Sequence, residues 1–333
     1  MADHVVGVDI GGTKIAAAVV NRAGQMLSCR VSRGHAGRAP EEVIGATDDA
    51  VQEALACCEL TVADIDGLGV GFAGHVWGER GIVLTSSNLP TWNHYPLRDY
   101  LQARIGAPVI LENDSNCAAW GEYRFGAGRG SRYMCYVTFS TGFGLGIVLE
   151  GRLFSGATGT AGEIGHTVVD PDGPFCTCGK RGCVMSYACG MAISRMAWEY
   201  VQSGGPTLLH QFVHVEAPEE MAPSYAISGE AVAQAAAAGD QAALEILGIA
   251  GRYFGIGLST VVQVINPDRI VIGGGLAKIG PPLLDPCMAA LNDNIHPVLV
   301  GSAEIVPSEL RNDAGLLGAA DLAWARGSER VRE

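Results

Sequence analysis

Residues 161–190 place a glutamate, a histidine and three closely spaced cysteines between glycines, and this stretch restricts the possible folds more than any other. The cysteines follow the pattern C-x-C-x4-C, and the histidine lies ten residues before the first of them. One imidazole and three thiolates make the four tetrahedral ligands of a structural zinc site. The predicted ligands are His166, Cys176, Cys178 and Cys183. A closed site of this kind holds its loop rigid, and here the loop also carries Glu163, three residues before the histidine.

The composition is that of a chain with a large buried interior. Hydrophobic residues make up 48% of the 333 residues and charged residues 17%, so one large or two medium domains are expected. The 46 glycines are about twice the roughly 7% of average usage. They cluster beside strand-like runs, which indicates tight turns around a ligand.

Charge, cysteine usage and the N-terminal sequence predict a soluble, cytoplasmic protein. The formal net charge is −13 and no basic stripe is present, which argues against a nucleic-acid partner. The N-terminus shows no signal peptide, because no basic segment is followed by an apolar one. The most apolar run, residues 248–265, contains Arg252 and is patterned like a buried helix, so no membrane contact is expected. Ten cysteines, two of them adjacent, do not form the pattern of a secreted disulfide framework.

Strand-like and helical periods alternate along the chain and predict an α/β fold. Three candidate strands at the N-terminus, residues 5–9, 14–20 and 25–32, form two successive hairpins, which excludes a simple βαβ opening. The other predicted strands are residues 65–72, 109–111, 133–139, 147–150, 269–272 and 300–307. The predicted helices are residues 40–58, 97–105, 117–125, 191–202, 229–238, 241–265 and 315–324.

Three glycine-rich turns are candidate phosphate or nucleotide contacts. The first turn contains Gly11, Gly12, Thr13 and Lys14. Glycine lets backbone N–H groups approach an anion, and the threonine and lysine add donors, although an ordinary hairpin turn would have the same composition. A similar turn at residues 140–146 repeats the pattern about 130 residues later, and two such turns together favour the phosphate interpretation. The third turn, residues 273–276, would admit a flat adenine or be a tight strand-to-helix turn.

Residues 69–74 match the dinucleotide fingerprint G-x-G-x-x-G. That fingerprint requires a helix to open directly after the glycines. The following residues, H-V-W-G-E-R-G, are typical of a turn. We therefore reject a dinucleotide site at this position.

Asn113 and Asp114 follow the predicted strand 109–111 directly. In open α/β sheets, ligands bind outside the carboxyl ends of the strands, so both side chains are candidates for chemistry. The competing interpretation is that Asp114 is the N-cap of the next helix, a position that Ser115 or Asn116 would fill equally well.

Six short motifs occur along the chain in a fixed order. They are D-I-G-G-T-K (9–14), E-N-D-S-N (112–116), S-T-G-F-G-L-G (140–146), G-E-I-G-H (162–166), C-T-C-G-K-R-G-C (176–183) and V-I-G-G-G (271–275). Their order and spacing resemble those of the ROK family (repressors, open reading frames and sugar kinases). The resemblance extends from His4 to about Arg326, and the histidine motif followed by the cysteine cluster is its most specific part.

The resemblance implies an actin-like, hexokinase-like ATPase fold of two α/β domains that close over a ligand cleft. The smaller domain would comprise residues 1–115 and about 310–333, and the larger domain residues 116–309 with the zinc-binding loop. The implied activity is that of an ATP-dependent, glucokinase-like sugar kinase. Its cofactors would be ATP, Mg²⁺ with the nucleotide and structural Zn²⁺, and its quaternary state a homo-oligomer, either a dimer or a tetramer.

The resemblance also implies a role for individual residues. Asp114 would be the catalytic base, and His166 would bind zinc with one ring nitrogen and face the sugar with the other. The phosphates and Mg²⁺ would contact Asp9, Gly11, Gly12, Thr13, Lys14, Thr141, Gly142 and Gly144. The adenosine would contact Gly273, Gly274 and Gly275. The sugar would contact Gly74, Asn88, Asn113, Asp114, Glu163 and His166.

The chain departs from the family pattern at Met185. Sugar kinases of this family usually read C-L-E after the last zinc cysteine, and that glutamate binds hydroxyls near the anomeric end of the sugar. Here the residues are Cys183, Val184 and Met185. A thioether accepts only weak hydrogen bonds. Either one sugar contact is missing, or the substrate lacks the hydroxyl that this contact would bind.

The sequence therefore predicts a kinase of a glucose-type hexose, acting at the 6-hydroxyl. The alternative substrate is an amino or N-acetyl hexosamine, such as aminoglucose, N-acetylglucosamine or N-acetylmannosamine. A repressor is less favoured, because repressors of the family carry a helix-turn-helix domain before the D-I-G-G-T segment, which here begins at residue 9. A non-catalytic sugar sensor is also less favoured, because Asp114, Lys14 and all three glycine turns are present.

Overall fold

The computed structural model describes residues 3–12, 14–33, 39–86, 89, 91–140, 142–213 and 226–329. Its strands are β1 His4–Ile10, β2 Lys14–Asn21, β3 Met26–Arg33, β4 Leu68–Phe72, β5 His75–Trp77, β6 Ile82–Thr85, β7 Val109–Asn113, β8 Tyr133–Phe139, β9 Phe143–Leu149, β10 Arg152–Leu153, β11 Arg269–Gly273 and β12 Glu304–Pro307. Its helices are α1 Pro40–Ala56, α2 Leu97–Ile105, α3 Asp114–Phe125, α4 Gly190–Gln202, α5 Gly229–Ala237, α6 Gln241–Ile265, α7 Pro281–Asn294 and α8 Ala314–Glu329.

The first sheet is mixed and has the order β3-β2-β1-β4-β7. Strands β1, β2 and β3 pair in antiparallel fashion, whereas β4 and β7 continue the sheet in parallel with β1. In this register Val8 lies opposite Ala17 on one side and Val70 on the other. The two N-terminal hairpins that the sequence predicts are confirmed. Asn113, the last residue of β7, lies at the carboxyl end of a parallel strand.

Both faces of the first sheet are buried because its strands carry apolar residues at successive positions. Val6 and Val8 belong to a core with α1 and α2 on one face. Val5 belongs to a second core, which it shares with Leu316 and Ala320 of α8. Alternate side chains of a strand point to opposite faces, so a run of valines supplies both cores.

Helix α8 lies directly on the first sheet where the strands carry glycine. A Cβ atom added to Gly7 would collide with the carbonyl oxygen of Leu316, and one added to Gly69 would collide with the backbone of Ala319. These two glycines therefore let α8 approach the sheet more closely than any residue with a Cβ atom would allow. Gly69 is part of the rejected dinucleotide match, and its close contact with a helix gives that glycine a packing role instead.

The second sheet has the order β10-β9-β8-β11-β12. Strands β9 and β10 are antiparallel, and β11 and β12 are parallel. Helix α6 packs against α7 at Gly251 and Gly255, where an added Cβ would collide with the carbonyl oxygens of Leu283 and Cys287.

Helix α6 is long and apolar enough to cross a membrane by length and composition alone. Its most apolar window has a mean hydropathy of 1.2, and half of that window is buried inside the structure. Buried residues recur along the helix, among them Ile246, Phe254 and Leu258. This burial is that of a core helix, in agreement with the buried helix predicted there.

The chain divides into two compact units. Unit 1 comprises Met1–Tyr136, Gly146–Gly162 and Ser308–Glu333, and unit 2 comprises Val137–Leu145 and Glu163–Pro307. Unit 1 contains the first sheet with α1, α2, α3 and α8. Unit 2 contains α4 to α7 and the predicted zinc loop.

Several predicted element boundaries differ from the structure, and three of these differences have clear local reasons. Helix α3 begins at Asp114 rather than at residue 117, because the side chain of Asn113 caps it. Strand β9 begins at Phe143 rather than at 147, so its glycines lie within the strand. Strand β12 begins at Glu304 rather than at 300, because the chain turns there: the Ser302 N–H donates to the Leu299 carbonyl oxygen at 3.0 Å, and Gly301 has a φ of 77°. The hairpin of β5 and β6 follows β4 where a dinucleotide site would need a helix.

A buried glutamate of α3 joins that helix to the segment before α8. The Glu122 carboxylate accepts hydrogen bonds from the Ser308 hydroxyl and from the N–H groups of Ala127 (2.8 Å), Leu310 (2.9 Å) and Glu309 (3.3 Å). Glu122 is completely buried, so removal of its carboxylate would leave several buried donors without an acceptor.

We expect Glu122→Ala to lower the free energy of unfolding by about 2–4 kcal/mol, as measured by denaturant titration. The matched control is Glu53→Ala, an exposed glutamate of α1, which should change stability by less than about 0.5 kcal/mol. Equal effects of the two substitutions would contradict a supporting role for the Glu122 hydrogen bonds.

Candidate functional site

The junction of β7 and α3 positions Asn113 and Asp114. Asn113 is the N-cap of α3, and its Oδ1 accepts hydrogen bonds from the N–H groups of Ser115 (2.9 Å) and Asn116 (3.1 Å). The sequence-based alternative that Asp114, Ser115 or Asn116 caps the helix is therefore wrong. Because the cap is supplied by its neighbour, Asp114 occupies the first helical position.

The Asp114 carboxylate is half-buried and held by local hydrogen bonds. Its Oδ1 accepts from the Ser115 N–H at 2.8 Å and lies 3.5 Å from the Ser115 hydroxyl. A carboxylate at the first turn of a helix is favoured in its ionised form by the helix dipole and the N-terminal N–H groups. An ionised, positioned carboxylate is what a general base requires.

Two of the predicted sugar contacts are hydrogen-bonded to each other. The Asn113 Nδ2 donates to the Gly74 carbonyl oxygen at 2.9 Å. Gly74 has no room for a side chain, because an added Cβ would lie 2.7 Å from the carbonyl oxygen of Thr85. The structure thus brings Gly74, Asn113 and Asp114 together in unit 1. Asn88, the other predicted sugar contact on this side, lies outside the described residues.

The first glycine turn joins β1 to β2 and pairs a carboxylate with a lysine. The Lys14 Nζ lies 3.8 Å from Asp9 Oδ2. Burial raises the pKa of Asp9, and the charge and hydrogen bond of Lys14 oppose that shift. The Gly11 N–H donates to the Lys14 carbonyl oxygen at 3.0 Å, which closes the hairpin. Thr13 lies outside the described residues.

The second glycine turn is fixed by backbone hydrogen bonds inside unit 2. The Ser140 N–H donates to the Gly142 carbonyl oxygen at 3.0 Å, and the Ser140 carbonyl oxygen accepts from the Gly190 N–H at 2.8 Å. The predicted Gly144 lies within β9. Thr141 lies outside the described residues. The turn is therefore linked to the first residue of α4.

The third glycine turn borders a cavity of about 460 Å³ in unit 2. Gly274 has a φ of 93°, and an added Cβ there would collide with the backbone of Phe139. Gly275 lines the cavity. The volume lies within the range of small-molecule sites. Gly273 ends strand β11 and is buried.

Sequence reasoning missed the polar side of this cavity, to which Ser228, Glu230 and Lys278 contribute. Ser228 is the N-cap of α5 and accepts a hydrogen bond from the Ala231 N–H at 3.1 Å. An acidic residue in the first turn after that cap is an ordinary helix feature. Only the tertiary fold shows that Glu230 faces the same cavity as Gly275.

The predicted zinc ligands converge in unit 2. The candidate ligand atoms of His166, Cys176, Cys178 and Cys183 all lie within 4.8 Å of one another. The Sγ atoms of Cys178 and Cys183 are 3.7 Å apart, and Cys176 Sγ lies 3.5 Å from His166 Nδ1. Ligand atoms arranged tetrahedrally around one zinc ion are separated by about 3.5–3.8 Å. The donor set and its spacing therefore fit zinc.

Two thiols of the cluster have pKa values shifted in opposite directions. Burial, together with the adjacent thiols, raises the pKa of Cys183 to about 12. Burial also acts to raise the pKa of Cys178, but hydrogen bonds from backbone N–H groups and the adjacent thiols outweigh it and lower that pKa. Without an ion, Cys183 is a neutral thiol at pH 7, whereas a bound zinc ion deprotonates its thiol ligands outright.

The second nitrogen of His166 faces away from the thiols. His166 Nε2 lies 3.9 Å from Glu163 Oε2, which is longer than a hydrogen bond. Nδ1 is the nitrogen that faces Cys176. The two ring nitrogens therefore have different neighbours, Cys176 for Nδ1 and Glu163 for Nε2.

Met185 lies within a short 3₁₀ turn, Val184–Ser186, that follows Cys183 directly. Its carbonyl oxygen accepts a hydrogen bond from the Cys189 thiol at 3.1 Å. The side chain is half-buried. No carboxylate stands at this position.

Comparisons with known proteins agree with the motifs. The sequence profile of the ROK family matches residues 5–326. A glucokinase of Streptomyces coelicolor is 36% identical over 323 residues, which are 96% of each chain. A glucokinase of Thermotoga maritima is 34% identical over 325 residues, 97% of this chain and 98% of the relative. The crystal structure of a ROK family glucokinase from Streptomyces griseus, in complex with glucose and AMPPNP, matches with a TM-score of 0.79 at 36% identity, over 97% of this chain and 99% of that one.

These matches span nearly the whole chain, and the structural match extends the agreement from the motifs to the fold. The predicted actin-like, hexokinase-like α/β fold is confirmed. The prediction of the family from six short motifs is confirmed as well. The protein belongs to the ROK family.

Proposed function

We propose that this protein is an ATP-dependent, glucokinase-like sugar kinase that phosphorylates the 6-hydroxyl of a hexose. The observation that carries the proposal is the Asp114 carboxylate, which follows a parallel strand directly and accepts a hydrogen bond from the Ser115 N–H at 2.8 Å. Its relatives of 34–36% identity are glucokinases, and one of them binds glucose and an ATP analogue. The position of Asp114 and the names of the relatives therefore favour the same reaction.

In the proposed reaction, Asp114 accepts the proton of the sugar hydroxyl as the hydroxyl oxygen attacks the γ-phosphorus of ATP. The bond between the γ-phosphorus and the bridging oxygen breaks, and ADP leaves. Base catalysis of this kind is worth roughly 10²–10⁴ in rate, and positioning with charge stabilisation supplies the remainder. The first helical position suits this task, because the Ser115 N–H fixes the orientation of the carboxylate.

The proposed sugar contacts are Gly74, Asn88, Asn113, Asp114, Glu163 and His166. The 3.9 Å between the Glu163 carboxylate and His166 Nε2 would let each group hydrogen-bond a sugar hydroxyl instead of its neighbour. Two such groups on one rigid loop would select a particular arrangement of hydroxyls.

The nucleotide would be bound by the three glycine turns. The phosphates would contact Gly11, Gly12, Thr13, Lys14, Thr141, Gly142 and Gly144. The adenosine would occupy the 460 Å³ cavity beside Gly273, Gly274 and Gly275. Mg²⁺ would arrive with the phosphates and neutralise their charge. Asp9 fits such an ion, because Mg²⁺ is usually held by one or two carboxylates together with substrate phosphates.

Zinc would hold the loop that carries Glu163 and His166 and would take no part in the chemistry. We further propose that the chain forms the two domains implied by its family, residues 1–115 with about 310–333, and residues 116–309. The protein would act as a cytoplasmic homo-oligomer, a dimer or a tetramer, with a sugar and ATP as its small-molecule partners and neither nucleic acid nor membrane.

A coupled assay of ADP release tests the proposal. We expect release to require ATP, Mg²⁺ and one hexose from a set of hexoses, 2-amino and 3-amino hexoses and N-acetyl hexosamines. The position of the phosphate on the product, read by NMR, should be the 6-oxygen. Folded protein that binds a sugar but releases no ADP with any of the set would instead support a non-catalytic sensor.

The alternative substrate, an amino or N-acetyl hexosamine, is motivated by Met185. Because no carboxylate stands there, the site lacks an acceptor for one hydroxyl. The same assay separates the candidates by the ratio of kcat/KM for glucose to that for each hexosamine.

A further inference from the structure

Unit 2 contains a larger cavity of about 460 Å³ and a smaller one of about 160 Å³. The larger cavity is the proposed adenosine site, and every residue that lines it belongs to unit 2. Its apolar lining residues are Ala233, Leu276 and Ile279. Apolar contacts bury the faces of a base but do not distinguish one base from another, because they make no use of the polar groups at its edge. Selection of a nucleotide therefore depends on the polar side chains of the lining.

Five polar side chains line the larger cavity: Ser140, Ser228, Glu230, Gln234 and Lys278. The Ser228 hydroxyl already has a structural role, because it accepts the N–H of Ala231 as the cap of α5. Ser140 belongs to the second glycine turn, where the phosphates are proposed to bind. The side chains of Glu230, Gln234 and Lys278 make no hydrogen bond or ion pair within the described part of the chain. These three groups are therefore available to a ligand.

Glu230 and Gln234 lie on the same face of α5. They are four residues apart, which places their Cβ atoms about 5–6 Å from each other. Lys278 lies on a separate element, the 3₁₀ turn Leu276–Ile279 that follows the third glycine turn. Of the three available groups, the two that can accept a hydrogen bond are therefore both supplied by α5.

The Glu230 carboxylate suits the ribose of a nucleotide. An ionised carboxylate only accepts hydrogen bonds, and it repels the phosphates. The donors of adenosine are the two ribose hydroxyls and the N6 amine of adenine. Next to that amine lies the acceptor N7, which would face the second carboxylate oxygen unfavourably. The two hydroxyls instead offer one donor to each oxygen, and acidic side chains also bind a ribose hydroxyl in dinucleotide sites.

The Gln234 amide suits adenine. Its side chain offers a donor and an acceptor next to each other. The adenine edge presents the N6 amine as a donor beside the N7 acceptor, and glutamine can pair with both. Lys278 only donates, so its partners would be acceptors such as the phosphate oxygens.

We propose that helix α5 selects the nucleoside of the phosphoryl donor: Glu230 binds the two ribose hydroxyls, and Gln234 binds adenine. The inference rests on the proposed sugar kinase function and specifies its donor as an adenine ribonucleotide. A lining without these two groups would accept deoxyribonucleotides and other purine nucleotides equally well.

The role of Glu230 is tested with ADP and with 2′,3′-dideoxy-ADP, which lacks both hydroxyls. Calorimetry with Mg²⁺ gives the Kd of each compound without turnover. We expect ADP to bind at least roughly tenfold more tightly, because hydrogen bonds to a charged group are the strong ones. Glu230→Ala should remove this preference by weakening the binding of ADP, and it should leave the Kd of the dideoxy compound within about threefold.

The control is Glu245→Ala, an exposed glutamate of α6 outside both cavities, which should keep the ratio of the two Kd values. Glu230 also lies in the first turn of α5, where a carboxylate stabilises a helix. A role in helix stability alone would change the binding of both compounds alike and leave their ratio unchanged. Thermal melts of the two variants measure that effect separately.

Gln234 is tested with ADP and IDP. In IDP a carbonyl oxygen replaces the amine, so the edge of the base presents two neighbouring acceptors to the amide. We expect ADP to bind at least roughly fivefold more tightly than IDP, and Gln234→Ala should remove most of this preference. The control is Gln202→Ala, an exposed glutamine at the end of α4 outside both cavities, which should retain it.

The outcomes separate this inference from the kinase proposal. If ATP phosphorylates a sugar but ADP and its dideoxy analogue bind equally, or if their ratio survives Glu230→Ala, the role of Glu230 is overturned and the kinase stands. Equal binding of ADP and IDP overturns the role of Gln234 in the same way. A protein that binds none of the three nucleotides overturns both roles. Absence of phosphorylation of every sugar would overturn the kinase, and the two Kd ratios would still decide whether α5 binds the nucleoside.

Discussion

Asp114→Asn is expected to lower kcat for the hexose by at least about 10²–10⁴-fold while changing the Kd for the sugar little. Asparagine keeps the size of the side chain and an oxygen that can accept from the Ser115 N–H. It cannot take the proton of the attacking hydroxyl, because a neutral amide is a far weaker base than a carboxylate. Single-turnover ADP release gives the rate of the chemical step, and calorimetry with the sugar gives the Kd.

The control for this substitution is Asp99→Asn. Asp99 also lies in the first turn of a helix, α2, and is exposed, so its replacement removes the same charge from a helix N-terminus outside the proposed site. We expect turnover by this variant to match that of the unmodified protein. If Asp114→Asn retains turnover within about tenfold of the unmodified protein, another group removes the proton, and Asp114 serves only the folding of α3.

The location of Asp114 could be predicted from the sequence because it depends on a local rule. A short apolar strand followed by polar residues and a helix places those residues at the carboxyl end of the sheet. The N-cap could not be identified from the sequence, because Asn113, Asp114, Ser115 and Asn116 are all good N-cap residues. Only the backbone conformation decides between them: Asn113 has an extended φ and ψ, and the helix begins one residue later.

The convergence of the four candidate zinc ligands could be predicted for a different reason. His166 and the three cysteines lie within 18 consecutive residues, so a short loop suffices to bring them together. The larger cavity could not be predicted in the same way. Its lining joins Ser140, Glu230 and Gly275, which are separated by tens of residues and meet only through the packing of the second unit.

The role of individual glycines could not be decided from the sequence, because close packing and ligand contact both require glycine. Gly69 was considered for a dinucleotide and in fact allows α8 to lie on the sheet. Gly274, assigned to adenosine, has a positive φ and a close backbone neighbour, so a tight turn alone would require glycine there. A glycine in the sequence indicates that a side chain is excluded at that position, but it does not indicate which neighbouring group excludes it.

Cys183→Ser is expected to abolish binding of the proposed zinc ion and, with it, most of the affinity for the sugar. Cys183 is fully buried among the other three ligands, and serine is a poor zinc ligand compared with a thiolate. Without the ion, the loop loses the constraint that holds His166 beside Glu163. We expect the zinc content, measured by elemental analysis, to fall from about one ion per chain to a small fraction. The KM for the sugar should rise by roughly tenfold or more, and the KM for ATP should change much less.

The control is Cys57→Ser, an exposed cysteine outside the cluster, which should retain the zinc and both KM values. Because protons compete with zinc for the thiolates, the zinc content of the unmodified protein should also fall as the pH is lowered. A protein purified without chelator that contains no zinc, yet binds the sugar and is stable, would contradict this account. The three thiols would then act only as buried packing groups, and the position of Glu163 and His166 would have to come from the loop's hydrogen bonds alone, such as that from the Val184 N–H to the Thr167 carbonyl oxygen.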